Sequence, residues 1–272
     1  MSRLFITGDS FTYVMPADQN ENVWHVDIAK RLNLEIVNVS LWGCSQDFNW
    51  RILHDLKDKT DPTITPDDQL IVLLTSPGRF WFFEDRPDIT NPNVIDLDAA
   101  IGTERAKIAA DYFRYVQRSQ LDNLSVKMRL GWLASTARQL GWKPPLVIFG
   151  FDQFIGEPSD FPELKFSKGA LSEHVSSMEQ VDPKDRLTFK AYDARYGHLC
   201  LNNHKILTEK IYQTLVNNEE LDLTTGFVQH ILTPENLRDA EFAKKEFSPF
   251  LYEKYLENVN KKIKTPWYEK FK

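Results

Sequence analysis

Short apolar runs alternate along this chain with stretches in which apolar residues recur every three or four positions, a pattern of strands alternating with helices. The runs are Leu4 to Thr7, Glu35 to Val39, Leu70 to Thr75 and Leu146 to Phe149, each rich in Val, Ile, Leu or Phe. Runs that short and that apolar predict strands buried on both faces of a parallel sheet. Between the first two, Trp24 to Leu32 carries Trp24, Ile28 and Leu32 at helical spacing, and Phe48 to Leu56 reads as a helix after the second. The order β-α-β-α-β favours a parallel sheet with helices on both faces. Residues 104–140 have almost no glycine or proline before Gly131, and Leu121, Leu124, Met128 and Trp132 step by three and four, which predicts one long helix or two end to end. Asn203 is placed to cap a last helix with Leu207, Ile211 and Leu215 on one face.

The prediction is an α/β fold: a three-layer α/β/α sandwich on a flavodoxin-like parallel sheet, with inserted loops and a C-terminal extension. The sandwich is assigned to residues 1–217 and the extension to 218–272. Two polar, proline-bearing segments, Asp85 to Asp98 and Gly156 to Arg186, read as long excursions from the sheet, either solvated or walling a pocket. No internal repeat or low-complexity tract is visible.

Composition narrows the function classes. The 272 residues are 42% hydrophobic and 26% charged, as in soluble globular proteins. The net charge of −6 argues against a nucleic-acid-binding body. From Glu241 to Lys272 the balance reverses, with eight lysines against five glutamates. Phe242, Phe247, Phe250, Tyr252, Tyr255, Trp267, Tyr268 and Phe271 lie in the same tail. That composition suits helices packed on the body, then a segment docking on a protein partner, and last a binder of single-stranded nucleic acid, so no nucleic-acid partner is expected. No apolar run approaches the ~20 residues that cross a bilayer. The first strand begins too early for a signal peptide, which predicts a cytoplasmic chain. Cys44 and Cys200 are read as free thiols, and the histidines lack ligand spacing, so no metal is expected. No phosphate-binding glycine motif appears, and no cofactor is expected.

The candidate chemistry starts at Gly8-Asp9-Ser10, which puts a serine at the carboxyl end of the first strand, where open α/β sheets bind ligands. A lone glycine, Gly43, follows the second strand, and His198 precedes the last helix. These blocks resemble the SGNH or GDSL hydrolase superfamily, over roughly Leu4 to Leu215. The resemblance implies a serine hydrolase of carboxyl esters, acting on an acylated small molecule or glycan without a cofactor. It implies Ser10 as nucleophile, His198 as general base, and the N–H groups of Ser10 and Gly43 as oxyanion donors. Asp193 is carried as the acid that orients His198, with Asp152 or a backbone carbonyl as substitutes.

Two positions depart from the family pattern. Arg195 stands three residues before His198, where the family has an aspartate. After the third strand the chain reads Thr75-Ser76-Pro77-Gly78-Arg79 in place of a glycine and an asparagine. Thr75 or Ser76 could donate a hydroxyl there, and Arg79 could face an anion. A pair of Cys44 with His198 is an alternative nucleophile. The departures and the aromatic tail support a second expectation: a catalytically weakened or inactive structural or binding protein of a larger assembly such as a phage particle.

Overall fold

A computed structural model of the chain describes residues 2–12, 23–41, 44–58, 62–77, 79, 111–112, 115–116, 119–151, 157–175, 177–178, 198–199, 201–228 and 231–232. The fold class is α/β. Strands β1 (Arg3–Thr7), β2 (Glu35–Asn38), β3 (Gln69–Leu74), β4 (Leu146–Phe149), β5 (Lys165–Ala170) and β7 (Leu221–Asp222) form a six-stranded sheet in the order β2-β1-β3-β4-β5-β7. It is the parallel sheet that three-layer α/β folds carry. Its first five members follow the flavodoxin-like order 2-1-3-4-5, and β7 extends it beyond β5. The helices are α1 (Trp24–Arg31), α2 (Gln46–Asp58), α3 (Ser119–Leu140) and α4 (Leu201–Val216), and β6 (Ser177–Met178) pairs with β8 (Ile231–Leu232) in a small second sheet. Among the described residues no helix is long and apolar enough to cross a membrane.

The chain divides into two compact units, one of Ser2–Tyr13 with Val37–Phe166, the other of Val14–Ile36 with Ser167–Lys272. In the first, β3 is buried along its whole length and lies between β1 and β4, in parallel register with Leu4 opposite Gln69 and Ile71 opposite Leu146. The run Leu70 to Leu74 is apolar at every position because both of its faces are covered. Val39 N–H donates to the Ile6 carbonyl at 2.9 Å, and Lys165 N–H to the Pro145 carbonyl at 2.9 Å, which seat the end of β2 and the start of β5. At the amino end of β1, Asp68 accepts from the Arg3 backbone at 2.8 Å, from the Arg3 guanidinium and from Thr65, closing the strand bottom. Helices α2 and α3 meet through an Asp47–Arg129 ion pair and an edge-to-face contact of Trp50 with Trp132, centroids 6.2 Å apart.

The helix predicted within 104–140 is present as α3, and one loop expectation is corrected. Val126, Leu130, Leu133, Ala134 and Ala137 are the buried stripe of α3, while Leu121, Leu124 and Met128 are exposed. Part of the segment 156–186 enters the sheet as β5, starting in this unit, whereas Asp85 to Asp98 lies outside the described residues.

In the second unit α1 packs on α4, burying Trp24 and Ile28 on one helix and Leu207 and Ile211 on the other. His204 Nδ1 accepts from Trp24 N–H at 3.4 Å, satisfying one of the orphan donors at the start of α1. Arg31 and Glu209 form an ion pair at 2.7 Å. Asn203 is not the cap of α4, which begins two residues earlier. Its buried amide donates to the carbonyls of His174 (3.0 Å) and Val228 (2.8 Å) and accepts from Val228 N–H at 2.8 Å. Gly169 in β5 has φ of +81° and faces Thr224, conditions that suit no side-chain-bearing residue.

Candidate functional site

The carboxyl ends of β1, β3 and β4 lie side by side, and the chain leaving each contributes to one polar cluster. After β1, residues 9 to 12 form a tight turn in which Thr12 N–H and Oγ1 donate to the Asp9 carbonyl at 3.0 and 2.9 Å. The Asp9 side chain closes a second ring, its Oδ1 accepting from Phe11 N–H at 3.0 Å, as Asp commonly does in turns. Asn38, at the end of β2, holds the turn from outside by donating to the Thr12 carbonyl at 2.7 Å. Asp9, Phe11 and Thr12 are buried, and Ser10 alone of the four is half-buried at the corner.

Asp9 is fully buried and carries its charge into the strand ends. Its Oδ2 accepts from Thr75 Oγ1 at 2.6 Å and from Arg79 Nη1 at 2.7 Å, and Arg79 Nη1 also donates to Thr75 Oγ1 at 2.7 Å. A turn after β3, in which Arg79 N–H donates to the Ser76 carbonyl at 3.1 Å, brings the arginine back over the strand end. The guanidinium rests on Phe151, 5.0 Å from the ring centroid, and Phe151 meets Phe11 edge-on at 5.8 Å. Gln46, the first residue of α2, donates to the Thr75 carbonyl at 2.7 Å. Beneath the turn, Gly8 has no room for a side chain: a Cβ there would sit 2.5 Å from Thr12 Oγ1 and 2.8 Å from Leu73 Cβ.

Cys44 is sealed below the same turn, its thiol directed to the Gly8 carbonyl and Asn49 Oδ1, both at 3.2 Å. Burial, and after it the charge of Asp9, push the thiol far above its ordinary pKa. Its burial withholds the thiol from substrate, which weighs against Cys44 as the alternative nucleophile.

The sequence-predicted residues are therefore distributed as follows. Ser10, Thr75, Ser76 and Arg79 belong to one unit, and the structure brings Thr75 and Arg79 to Asp9. The Thr75 hydroxyl, expected as an oxyanion donor, is directed to the Asp9 carboxylate. His198 belongs to the other unit, three residues before α4, half-buried and next to buried Leu199, which bridges to Val175. Gly43, Asp193, Asp152, Arg195 and Cys200 lie outside the described residues. Asp9 itself was missed as a site residue. The signal for it was present, because an aspartate between a buried strand and a buried phenylalanine has to be paired. Among the described residues no His, Cys, Asp and Glu cluster could hold a metal.

The fold and this cluster define the class: an α/β protein with a serine-bearing turn above a buried Asp-Thr-Arg network at the ends of three parallel strands. No protein-family model and no curated protein matches the chain in sequence.

Proposed function

We propose that this chain is a serine hydrolase of carboxyl esters, with Ser10 as nucleophile and His198 as general base. The observation that carries the reading is the turn after β1, which buries Asp9, Phe11 and Thr12 and leaves Ser10 at the corner, beside the β1/β3 switch point where sheets of this order bind ligands. In this reading Ser10 Oγ attacks the acyl carbon and His198 takes its proton. The N–H groups of Ser10 and Gly43 hold the oxyanion, and the alcohol leaves with the proton from His198. Water then attacks the acyl-enzyme with His198 again as base, releasing the carboxylic acid and restoring Ser10. An acylated small molecule or glycan is the substrate class, and the reaction needs no cofactor.

The test is hydrolysis of p-nitrophenyl acetate by wild type, Ser10→Ala and His198→Ala, with folding checked by circular dichroism. Turnover lost in both folded variants supports the pair. Turnover indifferent to Ser10 refutes it. A second reading, a binding or structural protein in a larger assembly such as a phage particle, is favoured by one observation: Thr75, one of the two residues expected to replace the missing oxyanion-binding asparagine, has its hydroxyl directed to Asp9. A folded but inert wild type supports that reading, and with it a docking role for the tail.

A further inference from the structure

We propose that Arg79 and Thr75 are positioning residues for Ser10, acting through Asp9 rather than on substrate. This rests on the hydrolase reading of Ser10. Asp9 is the hub of the turn: its carbonyl holds Thr12 and its Oδ1 holds Phe11, the residues that follow Ser10. Its other oxygen is filled by two donors from beyond β3, Thr75 Oγ1 directly after the strand and Arg79 Nη1, which the turn between Ser76 and Arg79 brings back.

A buried carboxylate without a partner is costly. It would also place a full negative charge one residue from the serine on which an anionic intermediate has to form. Arg79 cancels that charge at 2.7 Å with a side chain only 15% exposed. It braces the turn a second time through Phe151, on which its guanidinium lies and which meets Phe11, the residue after Ser10. The cation therefore serves both the charge balance and the fixed angle at which the turn presents Ser10.

The design predicts which changes hurt and which repair. Arg79→Met strips the cation and leaves Asp9 with Thr75 as its partner from beyond β3. Asp9→Asn keeps an oxygen for Phe11 N–H but turns an amide N–H toward the donors of Thr75 and Arg79. The double variant Asp9→Asn/Arg79→Met removes the charge and its partner together.

The experiment measures kcat and KM for p-nitrophenyl acetate with wild type, Ser10→Ala, Arg79→Met, Arg79→Lys, Asp9→Asn and the double variant. A misplaced nucleophile costs on the order of 10²-fold, so Arg79→Met is expected to lose about that in kcat at unchanged KM. Arg79→Lys, which keeps the charge, recovers to within about tenfold of wild type, and the double variant exceeds Arg79→Met. Should Arg79→Met not fold, Arg79→Lys and the double variant carry the comparison with Asp9→Asn. Wild-type kcat in Arg79→Met, with Ser10→Ala dead, overturns the inference and leaves the hydrolase reading standing. A loss confined to KM overturns it too, making Arg79 a substrate contact. Wild-type turnover that does not depend on Ser10 overturns the hydrolase reading and this inference with it.

Discussion

Replacing Gly8 by alanine tests whether the serine turn is built on close packing. The new Cβ would meet Thr12 Oγ1 at 2.5 Å, Leu73 Cβ at 2.8 Å and Thr12 Cγ2 at 3.2 Å. Leu73 is buried in the central strand, so its Cβ moves only with the backbone of β3. Thr12 is the softer neighbour, but rotating it breaks its 2.9 Å bond to the Asp9 carbonyl. Overpacking of this kind costs roughly 1 to 3 kcal/mol, and a lost buried hydrogen bond adds about 1 kcal/mol. Alanine returns about 0.5 kcal/mol by restricting the unfolded chain. The net expectation is a loss of about 1.5 to 3.5 kcal/mol, read by urea unfolding as a midpoint about 1 M lower for a slope of ~2 to 3 kcal/mol/M. Thr12→Ala in the Gly8→Ala background relieves the two Thr12 clashes but not the one with Leu73, so it restores part of the loss. A Gly8→Ala protein within about 0.5 kcal/mol of wild type would refute the packing argument, since surface-like substitutions fall in that range.

Burial alone would raise the pKa of Asp68, but the hydrogen bonds from Arg3 and Thr65 outweigh it and hold the carboxyl below its ordinary value. Its stabilisation is therefore present above the unfolded pKa and lost as pH falls through the lower folded value. Asp68→Asn should cost about 2 kcal/mol at neutral pH, a deficit that shrinks in acid unfolding curves; an unchanging deficit would refute the ionic account. In a Cys200→Ser background, Ellman's reagent should leave Cys44 unmodified until denaturant is added, and rapid native labelling would contradict its burial. Asn203→Ala strands partners on His174 and Val228 and is expected to cost about 2 to 3 kcal/mol in thermal unfolding; an Asn203→Ala protein as stable as wild type would show those bonds to be dispensable.

The central strands were legible because burial on both faces leaves little choice of residue: Leu146 to Phe149 was read without error, and Leu4 to Thr7 to within one residue. Strand β5, Lys-Phe-Ser-Lys-Gly-Ala, was missed because it is only partly buried and tolerates two lysines and a glycine. Helix α3 was legible as a helix, but its spacing did not say which face is buried. It carries two stripes at helical spacing, and the bulkier one, Leu121, Leu124 and Met128, is the exposed one, whereas the core stripe includes two alanines. At the site, the address of Ser10 followed from its place at the end of β1. The roles of Thr75 and Arg79 did not, because pairing with Asp9 depends on a β1/β3 adjacency that bridges some 65 residues of chain, the separation between Leu4 and Gln69.

That same adjacency dictates when the sheet can form as the chain leaves a ribosome. Strand β1 emerges first and has to wait for Gln69 before β3 can join it, and β3 stays open on its other edge until Leu146 appears. Pairings so distant in sequence are slow to close and expose apolar edges meanwhile. The clasp of Arg3 on Asp68 sits at the first of these junctions, one residue before β3 begins, and is positioned to fasten β3 to β1 before β4 has been made.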